Sequence, residues 1–220
     1  MIHLPAEGKL GPGEVLLLAQ DLLRGLVELH GLGIVMADLK PDNVLLDEAG
    51  APLLCDFGIA HAVSTTTGYT ATAPEQFHVG SRITPQCDMW ALGATLLHLL
   101  TGRPPWLGYN MAQICVQVGV QRTAPDIPDS GLPPPLLGLL RACLRPEPSA
   151  RPSAKAALEV MVAELVNALS RPQLPQPPQV SKEDGGQTPL HIAAFFGRVE
   201  VVQALLAAGA NKEAISKVRV

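Results

Sequence analysis

The chain has 220 residues, of which 47% are hydrophobic and 16% charged, and its formal net charge is −4. This much apolar material can form a core and excludes wholesale disorder. The acidic balance, without a run of Lys or Arg, disfavours partners such as nucleic acid or a membrane surface. The longest apolar stretch, ALGATLLHLL, is too short to span a bilayer.

The four cysteines predict a reduced, intracellular protein. They are spread about thirty residues apart, without a C-x-x-C pair, at Cys55, Cys87, Cys115 and Cys143. A disulfide framework or a zinc site has more clustered cysteines. The N-terminus also lacks the pattern of a secretory signal. We therefore expect core cysteines in a cytoplasmic protein.

The first elements are a helix and a hairpin. In residues 14–30 the apolar side chains recur every three or four positions, which predicts an amphipathic helix. Two short apolar runs, NVLL and APLLC, follow on either side of a DEAG turn and predict an antiparallel hairpin. In the register that we expect, the facing pairs are Asn43 with Asp56, Val44 with Cys55, and Leu46 with Leu53.

The rest of the first 170 residues is predicted to be a loop and then helices. Residues 59–84 are rich in Thr, Ser and Gly and predict a long irregular loop. A helix from Gln86 to Leu100 is apolar on all sides and should be buried. Shorter helical patterns lie near 110–120 and 135–144, and a longer helix extends from Ser153, its N-cap, to Ser170. The fold class is mainly α.

Polar residues meet at the open end of the hairpin. Asn43 and Asp56 offer the oxygen ligands that Mg²⁺ prefers. Asp38 could accept a proton from an attacking hydroxyl, and Lys40 could neutralise the charge of a phosphoryl group. The alternative is that these side chains only cap turns, as such residues usually do.

Five motifs in order resemble eukaryotic protein kinases. DLKPDN and DFG resemble the catalytic and metal-binding loops, and DMWALG resembles the buried central helix. Ala73-Pro74-Glu75 resembles the APE that closes the activation segment, and Arg151 the late arginine that pairs with its glutamate. The resemblance covers residues 1–170 and implies the C-terminal lobe of that fold, made of helices and a small β-hairpin.

The resemblance implies roles for individual residues. Asp38 is then the catalytic base, Lys40 contacts the γ-phosphate of ATP, and Asn43 and Asp56 hold Mg²⁺. Lys40 is typical of the serine/threonine-specific class, so the implied reaction is transfer of a phosphoryl group to a protein Ser or Thr. By the same resemblance Asp88, like the residues of the APE pair, is architectural.

The sequence departs from the family pattern in three places. Met36-Ala37 replace the usual His-Arg before Asp38, so we expect Met36 to fill the space of the His. Without that Arg, phosphorylation among Ser64 to Thr67 should not switch the protein by the usual route. Ala71 stands where a larger residue is common, which affects substrate docking.

The third departure is that no N-terminal lobe pattern precedes the helix at 14–30. We expect the chain by itself to be a truncated kinase or a remnant, weakly active or inactive.

The tail predicts a second domain. Residues 171–182 are rich in proline and predict an extended linker. Residues 183–220 contain DGGQTPLHIAAFFGRVEVVQALLAAGA, which resembles one ankyrin repeat, with His191 in a structural position. Such a repeat implies binding to a protein partner.

Two alternatives to a protein kinase stay open. A scaffold that keeps the kinase shape but lacks catalysis is favoured by the missing lobe pattern and by Met36-Ala37. A small-molecule phosphotransferase shares the acidic hairpin, but APE, DMWALG and the ankyrin repeat argue against it.

Overall fold

The computed structural model describes residues 2–3, 9–47, 50–55, 68–78, 80–128 and 130–170. The chain divides into two compact units, residues 1–161 and 162–220. Within the described residues the first unit is mainly helical and carries one small sheet, which confirms the predicted fold class.

Eight regular elements make up the described chain. In order they are β1 (Ile2–His3), α1 (Pro12–Gly31), β2 (Val44–Leu46), β3 (Pro52–Leu54), α2 (Pro85–Thr101), α3 (Met111–Ile114), α4 (Pro134–Cys143) and α5 (Ala154–Ser170). A π-helix, Cys115–Val120, continues α3 directly. Short 3-10 turns cover Pro41–Asn43, Gly68–Ala71, Pro74–Phe77 and Pro148–Ala150.

Helix α1 buries one face along its length. Pro12 stands at its first position, where the missing N–H costs nothing, and Glu14 bonds back to the Gly11 amide. The helix ends at Gly31, one residue after the predicted stretch, and Gly33 follows with a φ of 75°. Its largest fully buried side chains are Leu22, Leu23 and Leu26.

Helix α2 is the centre of the first unit. Its residues from Cys87 to Leu97 are all buried, which agrees with a helix that is apolar on every side. It packs against both α1 and α4. Gly102 caps the C-terminus of the helix, and its φ of 68° is the left-handed conformation that glycine adopts at helix C-termini.

The predicted hairpin forms, but its predicted register is wrong by one residue. The facing pairs are Val44 with Leu54, Leu45 with Leu53, and Leu46 with Pro52. The reason is the turn: Asp47 and Ala51 still pair, so the loop has three residues and ends on Gly50 at a φ of 79°.

A third strand was not predicted. The two residues of β1 pair antiparallel with β2, Ile2 facing Leu46 and His3 facing Leu45, and make a three-stranded sheet. A two-residue strand carries no periodicity, so the sequence gives no signal for it.

The later helices agree with the sequence in place, with one difference in type. The pattern near 110–120 becomes a single turn of α3 followed by the π-helix. Ser153 caps α5 as predicted, because its hydroxyl accepts a hydrogen bond from the Ala156 amide at 3.2 Å. No helix among the described residues has both the length and the apolar character that a membrane crossing requires.

Candidate active site

Three of the four residues predicted for the site meet in the loop between α1 and β2. One carboxylate oxygen of Asp38, Oδ2, lies 2.8 Å from Lys40 Nζ and 3.0 Å from Asn43 Nδ2. The Asn43 amide also donates to the Asp38 backbone carbonyl at 2.8 Å. Pro41 opens a 3-10 turn that ends at Asn43, and this turn folds Asn43 back over Asp38.

The three side chains differ in exposure. Asp38 is 43% exposed, whereas Lys40 is 14% exposed and Asn43 is buried. A carboxylate that is held by two donors but open to solvent can meet an incoming hydroxyl group. A turn cap alone does not need the lysine beside it.

The Asn43 side chain is oriented by its nitrogen. Within the described part of the chain both of its hydrogen bonds are made by Nδ2. The carbonyl oxygen Oδ1 is therefore the atom available to a hard cation, which fits the oxygen chemistry of Mg²⁺.

The second predicted metal ligand, Asp56, lies outside the described residues. The observed register places Cys55, rather than Asp56, opposite Asn43, since the Cys55 amide donates to the Asn43 carbonyl at 3.0 Å. The strand β3 thus delivers the chain to a point one residue before Asp56. Phe57 and the Ser64–Thr67 segment are likewise outside the described residues.

Asp88 holds the start of the loop from beneath. Its buried carboxylate accepts hydrogen bonds from the backbone amides of Met36 and Ala37, at 2.9 and 2.7 Å. Met36 is fully buried, as an apolar replacement in this position requires. Ala37 has a φ of 63°, a strained value for a residue with a Cβ.

Two neighbours of this loop were missed by the sequence analysis. His30 Nε2 lies 2.8 Å from the Asp88 carboxylate, and the Thr95 hydroxyl donates to the Leu39 carbonyl at 3.2 Å. His30 is the last polar residue before the end of α1, and Thr95 is the one hydroxyl in the buried stretch of α2 from Cys87 to Leu97. The second is a usable signal, because a buried hydroxyl needs a partner.

The predicted pair of Glu75 and Arg151 is confirmed. The guanidinium makes two parallel hydrogen bonds to the carboxylate, at 2.7 and 2.9 Å. Arg151 also donates to three backbone carbonyls and stacks over the Trp90 ring at 5.1 Å. Burial by itself raises the pKa of Glu75, but the hydrogen bonds and charge of Arg151 outweigh it, so that the pKa lies below its ordinary value.

All four cysteines are free thiols, as the sequence predicts. Two of them, Cys87 and Cys143, are buried in the core, and two are half-buried. The Cys87 thiol donates to Glu75 Oε1 at 3.3 Å. Burial, together with the nearby carboxylate, raises the pKa of Cys87 to about 11, and burial raises that of Cys143 to about 12. Neither is a reactive thiolate at neutral pH.

A small pocket opens beside Lys40. Its walls come from the loop, the turn before APE, helix α2 and the segment after it; the lining includes Asp42, Thr70, Thr95, His98 and Pro104. Because Thr70 and Ala71 line the same pocket as Lys40 and Asp42, the turn Gly68–Ala71 lies next to the Asp38 loop.

Protein-family models match two parts of the chain. The model described as "Protein kinase domain" matches residues 2–162, and the model described as "Ankyrin repeat" matches residues 185–217.

Similar proteins occur in plants and bacteria. "E3 ubiquitin-protein ligase KEG" of Arabidopsis thaliana is 29% identical over 81% of this chain and 13% of its own length. "Mitogen-activated protein kinase kinase kinase 3" of the same plant is 34% identical over 64% of this chain and 24% of its own. "Serine/threonine-protein kinase AfsK" of Streptomyces coelicolor is 37% identical over 62% and 18%.

This chain thus spans less than a quarter of the length of these curated relatives. The protein kinase model, by contrast, matches residues 2–162, which is nearly three quarters of the chain and includes Asp38, Lys40, Asn43 and Asp56. The chain belongs to the protein kinase family, and it carries an ankyrin repeat.

Proposed function

We propose that the chain is the catalytic-loop portion of a serine/threonine protein kinase. The observation that carries the proposal is the convergence of Lys40 and Asn43 on one oxygen of a half-exposed Asp38. The relatives named as serine/threonine or mitogen-activated kinases support the same class.

In this reaction Asp38 acts as the base. A Ser or Thr hydroxyl of the protein substrate attacks the γ-phosphorus of ATP, and its proton passes to the Asp38 carboxylate. The new O–P bond forms as the bond to the β-phosphate oxygen breaks, so that ADP leaves. Lys40, whose Nζ lies 2.8 Å from Asp38, binds a γ-phosphate oxygen and offsets its charge.

Asn43 and Asp56 are the proposed ligands of Mg²⁺. Asn43 contributes its Oδ1 atom, and Asp56 contributes a carboxylate from the residue after Cys55. When bound, the metal neutralises charge on the phosphates of ATP. The hydrogen bonds of Asn43 Nδ2 to Asp38 tie the metal ligand to the base, so that the two keep a fixed spacing.

The domain plan is part of the proposal. Residues 1–170 form the kinase-like domain, residues 171–182 a linker, and residues 183–220 the ankyrin repeat that binds a protein partner. We place the activity in the cytoplasm. The linker and the repeat lie outside the described residues.

Substitution of Asp38 by Asn in the full-length protein tests the proposal. The change keeps the size and one hydrogen-bond acceptor but removes the base, so phosphorylation of a Ser/Thr peptide mixture should fall about 10²- to 10⁴-fold. Radiolabelled phosphate transfer measures the rate. Asp126→Asn, an exposed acid between α3 and α4, is the matched control and should keep the wild-type rate. Equal rates for Asp38→Asn and wild type would refute the assignment.

A non-catalytic scaffold is the second candidate. It is favoured by Ala37, because an alanine at a φ of 63° has replaced the charged residue usual before the aspartate. The same assay separates the two, since a scaffold shows no transfer that depends on Asp38.

A further inference from the structure

We propose that Thr95 is a positioning residue for the catalytic base, Asp38. Its hydroxyl holds the backbone carbonyl of Leu39, the residue directly after Asp38. The inference rests on the proposed kinase function and extends it to a residue of the central helix.

The bond joins two buried groups. The Thr95 side chain is 1% exposed and its hydroxyl donates to the Leu39 carbonyl at 3.2 Å. Leu39 is itself fully buried and stands between Asp38 and Lys40. A buried carbonyl that loses its donor is left unsatisfied, because water does not reach it.

The position of Thr95 on α2 gives this bond a function. Asp88 and Thr95 are seven residues apart, which places them on the same face of the helix about 10 Å apart along its axis. Asp88 holds the amides of residues 36 and 37, and Thr95 holds the carbonyl of residue 39. Helix α2 is therefore hydrogen-bonded to the loop immediately before and immediately after Asp38.

Because the backbone is held both before and after Asp38, the position of the Asp38 side chain is restricted more than that of any other residue in the loop. If only the hydrogen bonds to Asp88 were present, the backbone between residues 38 and 40 could rotate. This rotation would move the Asp38 carboxylate and Lys40 Nζ away from the reacting atoms. Small displacements of a base are costly in transfer reactions, since the bound geometry supplies much of the rate. The hydrogen bond from Thr95 to the Leu39 carbonyl prevents this rotation.

The packing of α2 does not require a hydroxyl at this position. The residues that flank Thr95 one turn away on the helix include Ala91, Leu92 and Leu99, which are buried and apolar. A valine has nearly the same shape as threonine and would fill the space without the hydrogen bond. The threonine is thus better explained by its contact with the loop than by the core.

The experiment compares Thr95→Val with Thr95→Ser in the full-length protein. Serine keeps the hydroxyl and valine keeps the shape. Thr101→Val is the control, because Thr101 is a hydroxyl on the same helix whose partners, the Leu97 and Arg103 backbone groups, lie at the end of that helix and not in the Asp38 loop. Rates are divided by the fraction of molecules that bind ATP, which corrects for misfolded protein.

We expect kcat to fall roughly ten- to a hundredfold in Thr95→Val with little change in the KM for ATP. Thr95→Ser and Thr101→Val should keep kcat within about threefold of wild type. If kcat is unchanged in Thr95→Val, or falls equally in Thr95→Ser, the positioning role is wrong.

Amide hydrogen exchange tests, independently of activity, whether the Thr95 hydrogen bond holds the loop. Peptides that cover residues 34–43 should exchange faster in Thr95→Val than in wild type, while Thr95→Ser and Thr101→Val exchange as wild type does. Unchanged exchange in Thr95→Val would overturn the anchor. A wild-type protein without phosphoryl transfer would instead refute the proposed function, whatever the exchange data show.

Discussion

Single residues in this chain are fixed by partners far away in sequence. The Asp38 loop depends on Asp88, fifty residues later, and the APE glutamate depends on Arg151, which lies seventy-six residues after it. In each case a buried charged group is satisfied by several hydrogen bonds at once. That multiplicity is what makes burial of the charge tolerable.

The pair of Glu75 and Arg151 yields a prediction about stability and pH. Glu75→Gln leaves the buried guanidinium without its counter-charge, and we expect a loss of about 3 kcal/mol in the free energy of unfolding at pH 7. Because the folded-state pKa of Glu75 is lowered, its contribution is complete above the ordinary value of 4.5 and is lost as the pH falls through the folded value. The difference between wild type and variant should therefore shrink below pH 4.5.

Urea denaturation at pH 7 and at several values below 4.5 measures this difference. Glu147→Gln is the matched control, since Glu147 pairs with Arg122 but is 61% exposed. Its change should cost less than about 1 kcal/mol. A loss in Glu75→Gln that is equal to the control, or that grows at low pH, would contradict the prediction.

Among the elements, α2 carries the architecture, and its contact with α4 is very close. A Cβ on Gly93 would lie 2.9 Å from Leu144 Cγ and 3.0 Å from Cys143 Cβ, both near the backbone. Real side chains do not approach so closely in a packed interior. The glycine is required by the crossing of the two helices, and a helix interior otherwise disfavours it.

Gly93→Ala should therefore destabilise the protein by about 1 to 3 kcal/mol, despite the higher helix propensity of alanine. Gly138→Ala on α4 is the matched control: its Cβ would have no neighbour within 4 Å, and the change should stabilise by up to about 1 kcal/mol. Thermal unfolding of both variants tests whether the melting temperature falls in Gly93→Ala and rises in Gly138→Ala. Two changes of the same sign would show that the α2–α4 contact is looser than described.

At the scale of the molecule, burial across the described residues is uneven, and the local stability of these residues should be uneven too. Helix α2 is buried along most of its length, whereas the exposed large apolar side chains lie elsewhere, including Leu107, Met111, Val120 and Val160. Backbone amides that open only on global unfolding belong to the most buried elements.

We expect α2 to give the slowest amide exchange of the described chain. Exchange followed by mass spectrometry should show protection that decreases from residues 87–97 to the segment 103–111 and the last turns of α5. If residues 87–97 exchanged as fast as residues 103–111, α2 would not be the stable centre. The measurement needs no ligand and no activity.

Much of the fold could be predicted from the sequence because the helices carry strong periods. The bounds of α1, α2, α4 and α5 follow from apolar spacing and from caps such as Ser153, all of which are local signals. The hairpin could be predicted as well, but its register could not. A one-residue difference in the turn changes every facing pair, and only Gly50 and the closing Asp47–Ala51 bond settle it.

The candidate site divides in the same way. The types of its residues and their order, Asp38, Lys40, Asn43 and Asp56, are set by the sequence, since the chemistry needs those groups in one short stretch. The turn that begins at Pro41 brings Asn43 to Asp38 locally. The tertiary structure decided how the loop is held, because Asp88 and Thr95 bind its backbone from one face of α2. Contacts between residues fifty positions apart depend on how the helices pack, and the sequence shows the local period of a helix but not its neighbours.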